Sequence, residues 1–305
     1  MDKPGGLLSS SNTAFLQSKG GTIAAFATYG MWGLFPLYWK RLEAIDPFQV
    51  LSHRIVWAAL FTVFLLAFRG GFSGLLSLLA NRKRLAVAFV AALLVTTNWG
   101  VYIWAVDNGN IAQSALGYYI NPLVSVALGA LFLREKLDGF TMAAIGIAAA
   151  GVIAATIILG SPPWISLILA FTFGFYGLVK KQAGLDPMTG LAAETLTVTP
   201  IALAYLIWRH SAGAGAFGGP DVGANILLVV AGPVTAIPLI TFAFAANRIT
   251  LQRLGFIQYV SPSMQLILGL FVYREELTPA LIVAFVAVIG AVLIYAGSRG
   301  RFGSR

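Results

Sequence analysis

Ten apolar stretches, separated by short polar breaks, run along the chain at 21–39, 48–68, 85–106, 111–133, 140–159, 163–179, 188–208, 224–246, 251–273 and 279–297. Each approaches the roughly 20 residues that an α-helix needs to cross a hydrocarbon core. The breaks carry turn and helix-start chemistry: Asp46 with Pro47, Asn108 with Gly109, Ser161 before Pro162 and Pro163, Asp186 with Pro187, and Thr278 with Pro279. The pattern predicts an all-α integral membrane protein of ten transmembrane helices.

The stretches repeat. Displaced by 140 residues (Lys40 onto Lys180), the chain matches itself without a gap at Asp46/Asp186, Pro47/Pro187, Tyr119/Tyr259, Pro122/Pro262, Gly129/Gly269, Arg134/Arg274 and Glu135/Glu275. This divides it into a tail at 1–20, a five-helix repeat at 21–160, a second at 161–298 and a basic tail at 299–305. Five is odd, so consecutive copies that each cross a bilayer must insert upside down relative to each other, as in many secondary transporters.

Composition agrees with a lipid solvent: 58% of residues are hydrophobic and 10% charged, more apolar side chain than a soluble core of this size hides. The chain has no cysteine, so disulfides and thiolate metal sites are excluded. Its net charge of +9 sits in short clusters between apolar runs, which fits membrane topology and argues against nucleic-acid binding. Residues 1–19 are polar, so a short soluble tail is expected and no removed signal peptide.

The Lys and Arg distribution gives the orientation. With the N-terminus inside, the cytoplasmic side holds Lys3, Lys19, Arg69, Arg82, Lys83, Arg84, Arg134, Lys136, Lys180, Lys181, Arg248, Arg299, Arg301 and Arg305, and the outer side only Lys40, Arg41, Arg209 and Arg274. Both termini are therefore expected in the cytoplasm. Equivalent loops differ in charge as an inversion requires: "REK" at 134–136 is "REE" at 274–276.

Inside the stretches ionisable groups are few: His53, Arg54, Glu194 and, at the mouth of the ninth, Arg253. A mid-bilayer charge costs about 2.5–3.5 kcal/mol even on lenient scales, which points to function. Arg54 and Glu194 are repeat equivalents (54 plus 140). Two readings of Arg54 stand: a role in binding or gating a substrate, or a side chain that snorkels to the interface. Glu194 and, second, His53 are the candidates for coupling transport to protons, with a neutral hydrogen-bonded histidine the plainer reading of His53.

The paired Pro122 and Pro262, preceded by Asn121 and Ser261, remove backbone donors in corresponding helices, a pointer to a central site. Aromatic and amide groups join them as candidate substrate-binding residues: Tyr29, Trp32, Asn98, Trp99, Tyr102, Gln113, Tyr118, Tyr119, Gln258 and Tyr259. The alternative for each is ordinary packing. Trp39, Trp57 and Trp104, nearer the stretch ends, read as interfacial belt, and Gly129, Gly146, Gly151, Gly269 and Gly290 as close helix contacts. No catalytic set, nucleotide loop or paired-histidine motif is present, so no enzyme activity, cofactor or metal is expected.

The segments 98–137 ("NWGVYIWAVDNGNIAQSALGYYINPLVSVALGALFLREKL"), 29–42 ("YGMWGLFPLYWKRL"), 52–57 ("SHRIVW") and 254–262 ("LGFIQYVSP") resemble the EamA branch of the drug/metabolite transporter superfamily. The resemblance implies an inner-membrane permease of two inverted five-helix repeats, with a central cavity lined by stretches 1, 3, 4, 6, 8 and 9. Relatives in that superfamily export amino acids and other metabolites. Where the pattern often has an acid, this chain has Gln113, so a coupling role for a carboxylate there is not carried over. The expected function is secondary transport of small amphipathic metabolites or drugs, outward, by alternating access. A non-transporting sensor or assembly subunit and a membrane-embedded enzyme are the alternatives. The expected partners are a small-molecule substrate, the lipid bilayer and, as a candidate, a second copy of the chain in a homodimer.

Overall fold

The computed structural model describes residues 10–108, 110–160, 163–274 and 278–302. Gly109, Ser161, Pro162, Glu275, Glu276 and the extreme ends, including Lys3 and Arg305, lie outside the described residues. Among the described residues the regular structure is helical throughout: α1 (Ser10–Gly33), α2 (Phe35–Trp39), α3 (Pro47–Phe68), α4 (Phe72–Ala80), α5 (Arg82–Asp107), α6 (Ile111–Leu133), α7 (Gly139–Leu159), α8 (Trp164–Ala183), α9 (Pro187–Ser211), α10 (Val222–Ala246), α11 (Leu251–Gln258), α12 (Val260–Leu268) and α13 (Pro279–Phe302). A 3-10 turn, Lys40–Leu42, follows α2, and a π-helical turn, Gly269–Tyr273, follows α12.

Eight segments among the described residues are long and apolar enough to cross a membrane: α3, α5, α6, α7, α8, α9, α10 and the run from α11 through the π turn. Ten were expected. The last stretch forms α13, which contains a shorter apolar helix, Pro279–Tyr295. The first is divided at Leu34 between α1 and α2. Pro36 is the cause: it has no N–H for the carbonyl of Trp32, four residues back, and that carbonyl instead accepts from Gln265 Nε2 at 3.0 Å. One helix was not anticipated. α4 lies where a polar loop was expected, with Leu75 and Leu78 buried against Met188, Ala192 and Ala193 of α9.

Several repeated residues serve the helix ends. Asp46 and Asp186 are N-caps, accepting from the N–H of Gln49 and Thr189, and Pro47 and Pro187 begin α3 and α9. An N-cap carboxylate satisfies a backbone donor, and proline at the first position has none to lose. Arg134 and Arg274 both adopt left-handed backbone, with φ of 55° and 54°. The paired prolines differ: α6 runs unbroken through Pro122, whereas Pro262 frees the carbonyl of Gln258 and the chain breaks at Tyr259.

The packing follows the repeat. α3 packs on α9, α6 on α11, and α7 on α13, each helix against its own equivalent, while α1 packs on α10 as α5 does on α8. In lipid these contacts depend on close approach more than on burial from water. A Cβ placed on Gly151 of α7 would lie 2.1 Å from Ala287 Cβ of α13, and one on Gly232 of α10 would lie 2.4 Å from the Trp57 backbone of α3. Gly129 is likewise crowded, but Gly146 and Gly290 have no neighbour within 4 Å, so their expected packing role is corrected: they face open space. Large apolar side chains such as Phe68, Leu131, Ile157 and Ile201 are exposed, as a lipid-facing surface requires.

Candidate functional site

The turn at Asp46 and Pro47 folds α3 back beside α2 and brings Trp39 onto Arg54. The guanidinium carbon lies 4.4 Å from the centroid of the Trp39 ring and 4.4 Å from that of Trp99 on α5. Arg54 Nε donates to Thr235 Oγ1 of α10 at 3.1 Å, and Tyr38, Tyr102 and Tyr118 lie within electrostatic reach of the charge. Tyr102 and Tyr118 pack with ring centroids 5.6 Å apart, and Tyr38 donates to the carbonyl of Leu227. A guanidinium between two indole faces gains cation–π stabilisation that grows as water is removed. Trp39 therefore belongs to this box and not to an interfacial belt.

The second hairpin, at Asp186 and Pro187, builds the equivalent place from different chemistry. Lys180 Nζ lies 2.6 Å from Glu194 Oε1, and Tyr176 donates to Glu194 Oε2 at 3.3 Å. Both charged side chains are buried, 6% and 3% exposed. Lys180 was expected in a cytoplasmic loop after residue 179; α8 instead continues to Ala183 and carries Lys180 inside, so it is not a loop charge. Its neighbour Lys181 donates to the carbonyls of Ala246 and Ile249 at the end of α10, where a cation complements the helix dipole.

A cavity of about 20 Å³, room for about one water, connects the two clusters. Its walls are Ile55 and Ala58 of α3, Ala92, Val95, Thr96 and Trp99 of α5, Leu191, Glu194, Thr195 and Val198 of α9, and Thr235 and Leu239 of α10. Those helices are stretches 2, 3, 7 and 8, of which 3 and 8 are among those the resemblance implies for a central cavity. Helices α1 and α8 are kept from it by rings: Tyr29, Trp32, Phe173, Tyr176 and Phe242 pack on one another and fill the space between α1, α8 and α10.

The other expected residues separate into groups. Tyr29 donates to Gln258 Oε1 at 3.5 Å beside the aromatic column. Asn98 ties α5 to α8, donating to the Leu169 carbonyl and Thr172 Oγ1. Gln113 donates to Asn110 and accepts on its carbonyl from Ser166. Tyr119 and Tyr259 are buried in one apolar cluster with Phe256 and Phe285, and neither hydroxyl has a described partner. Asn121 accepts from Ser125, and Ser261 from Gln265. The carbonyl of Pro122 is close against Gly255 of α11, and Pro262 is buried; neither proline lines the cavity. His53 is buried against the Phe217 ring. Arg253, outside the box, donates to Ser18. Residue type and position hid Tyr38, Thr235, Lys180 and Tyr176, although hairpin spacing marks Lys180: it lies six residues before Asp186, and Glu194 eight after it.

The profile of the EamA-like transporter family matches residues 19–157 and again 162–297. The chain belongs to that family. It is a multi-pass membrane protein and a membrane transporter by family. A Bacillus subtilis protein, the uncharacterized transporter YojE, is 44% identical over 93% of this chain and 95% of its own. Proteins called RarD are also similar: that of Streptomyces exfoliatus at 40% over 91% of this chain and 88% of its own, and that of Escherichia coli at 35% over 92% and 94%. A solved crystal structure shares the fold, with a TM-score of 0.71 at 17% identity, covering 93% of this chain and 99% of that one.

Proposed function

We propose that this transporter moves small amphipathic solutes across the plasma membrane by alternating access, its two halves rocking about the cavity between Arg54 and Glu194. The observation that carries the reading is that one cavity touches both polar clusters, through Trp99 and Thr235 at one end and Glu194 at the other. These clusters occupy equivalent places in the two halves, so each is suited to closing one end. Glu194 is the carboxylate on the cavity wall and the first candidate for proton coupling, His53 the second. With Lys180 removed from the count, thirteen cytoplasmic cations still face four outside, which supports cytoplasmic termini and, with the family's exporters, outward transport.

Reconstitution tests the reading. Purified protein in liposomes is expected to exchange at least one member of a panel of labelled amphipathic metabolites and antibiotics faster than empty liposomes do. No flux for any member favours the sensor or assembly-subunit reading. Because the chain lacks cysteine, Lys83→Cys should label only from inside and Ala214→Cys only from outside; the reverse pattern would invert the topology.

A further inference from the structure

The geometry points to Arg54 as the anchor for a solute carboxylate on an apolar or aromatic body, which the adjoining one-water cavity would take up only on widening. The inference rests on the transport reading for its purpose and on the following observations for its chemistry.

Arg54 has no counter-ion among the described side chains. Apart from Asp107, whose side chain lies outside the description, the seven carboxylates of the described residues are engaged elsewhere: Glu43 with Lys40, Asp46 with Arg209 and Tyr205, Glu135 on the N-terminus of α11, Asp138, Asp186 and Asp221 as N-caps, and Glu194 with Lys180. A guanidinium has five N–H donors in a planar fork. Nε is used on Thr235, while the Nη groups donate to no described residue and Arg54 keeps partial exposure. The two indoles lie 4.4 Å from the guanidinium carbon, and the Nη groups are the part that grips a carboxylate with parallel hydrogen bonds.

The surroundings select the rest of the ligand. Trp99 and Thr235, which hold the guanidinium, also line the cavity, and its wall continues through Ile55, Ala58, Val95 and Leu239. That wall suits an apolar body. The far end does not repel an anion, because Lys180 balances Glu194 there. Among the described side chains one uncompensated cation matches one negative charge, which favours a monoanionic carboxylate over a phosphate dianion.

The test uses the purified full chain in an uncharged detergent, with calorimetric titration and thermal unfolding against matched probes: phenylacetate with phenylacetamide, cinnamate with cinnamamide, and hexanoate with hexanamide. Wild-type protein is expected to bind at least one carboxylate on the order of 30-fold more tightly than its amide, the scale of one buried charged partner. Arg54→Gln should abolish that preference. Arg54→Lys, which keeps the charge and loses the fork, should retain it with affinity weakened about tenfold, and it serves if Arg54→Gln does not fold. No preference for any carboxylate, or equal affinity in all three proteins, overturns the assignment. So does an Arg54-dependent stabilisation seen with added phosphatidylglycerol alone. Carboxylates bound through Arg54 but never carried across liposomes would remove the transport reading and leave the site; undiminished carboxylate flux by Arg54→Gln would do the opposite.

Discussion

The carboxylate of Glu135 accepts hydrogen bonds from the backbone N–H groups of Leu251 and Gln252, at 2.8 and 2.9 Å. It satisfies donors at the start of α11 that have no intrahelical partner and puts a negative charge at the positive end of the helix dipole. Glu135→Ala is expected to destabilise the protein by about 0.5–2 kcal/mol, and Glu135→Gln, which retains an acceptor oxygen, by less. Thermal unfolding in detergent reads both; equal midpoints for wild type and Glu135→Ala would refute the cap.

Breaking the Lys180–Glu194 pair leaves a buried charge unpaired. Either Lys180→Met or Glu194→Leu alone should destabilise by about 3–5 kcal/mol, whereas the double variant, with both charges gone, should recover most of it. Reconstituted Glu194→Gln protein is further expected to show a flattened pH profile of flux. An unchanged profile would take Glu194 out of the coupling step.

Gly232→Ala sets a methyl 2.4 Å from the Trp57 main chain, which cannot swing aside as a side chain does. The α3–α10 contact should part, with lower yield of folded protein and a lower unfolding midpoint. Gly290→Ala meets nothing within 4 Å and is the control: it should match wild type or exceed it by up to about 1 kcal/mol, since alanine favours helix.

Arg134 and Arg274 hold left-handed backbone, which costs a residue with a Cβ of order 1–3 kcal/mol. Glycine at either position should raise the unfolding midpoint, and valine should lower it. A lower midpoint for both glycine variants would mean that the side chains, not the backbone angle, matter there.

Much of the fold was legible because lipid imposes length and apolarity on every crossing segment, and because the repeat marks the same turns twice. The site was less so. Repeated residues proved to be largely helix ends and crossings: Asp46 and Asp186 cap, Arg134 and Arg274 turn the chain, and Tyr119 and Tyr259 pack. The polar clusters differ because Arg54 and Glu194 are unlike at equivalent places and Val179 stands where Trp39 does, although Lys180 does match Lys40. Arg54 and Glu194 were visible as charges among apolar residues. Their partners were not, because a tryptophan or lysine near a span end is chemically suited to the interface, and only the hairpin brings it inward, Trp39 from seven residues before Asp46 and Lys180 from six before Asp186. The α4 helix escaped notice because two leucines in a short segment do not show which neighbour will cover them.

The amide of Gln265 on the carbonyl of Trp32 makes the bend in the first helix a joint property of both halves. If α12 swung away, that oxygen would be stranded in hydrocarbon, where no water replaces the lost donor. The C-terminal end of α1 is thus tied to the second half just before the helix divides at Leu34, so the last turn of a first-half helix depends on a side chain of the other copy.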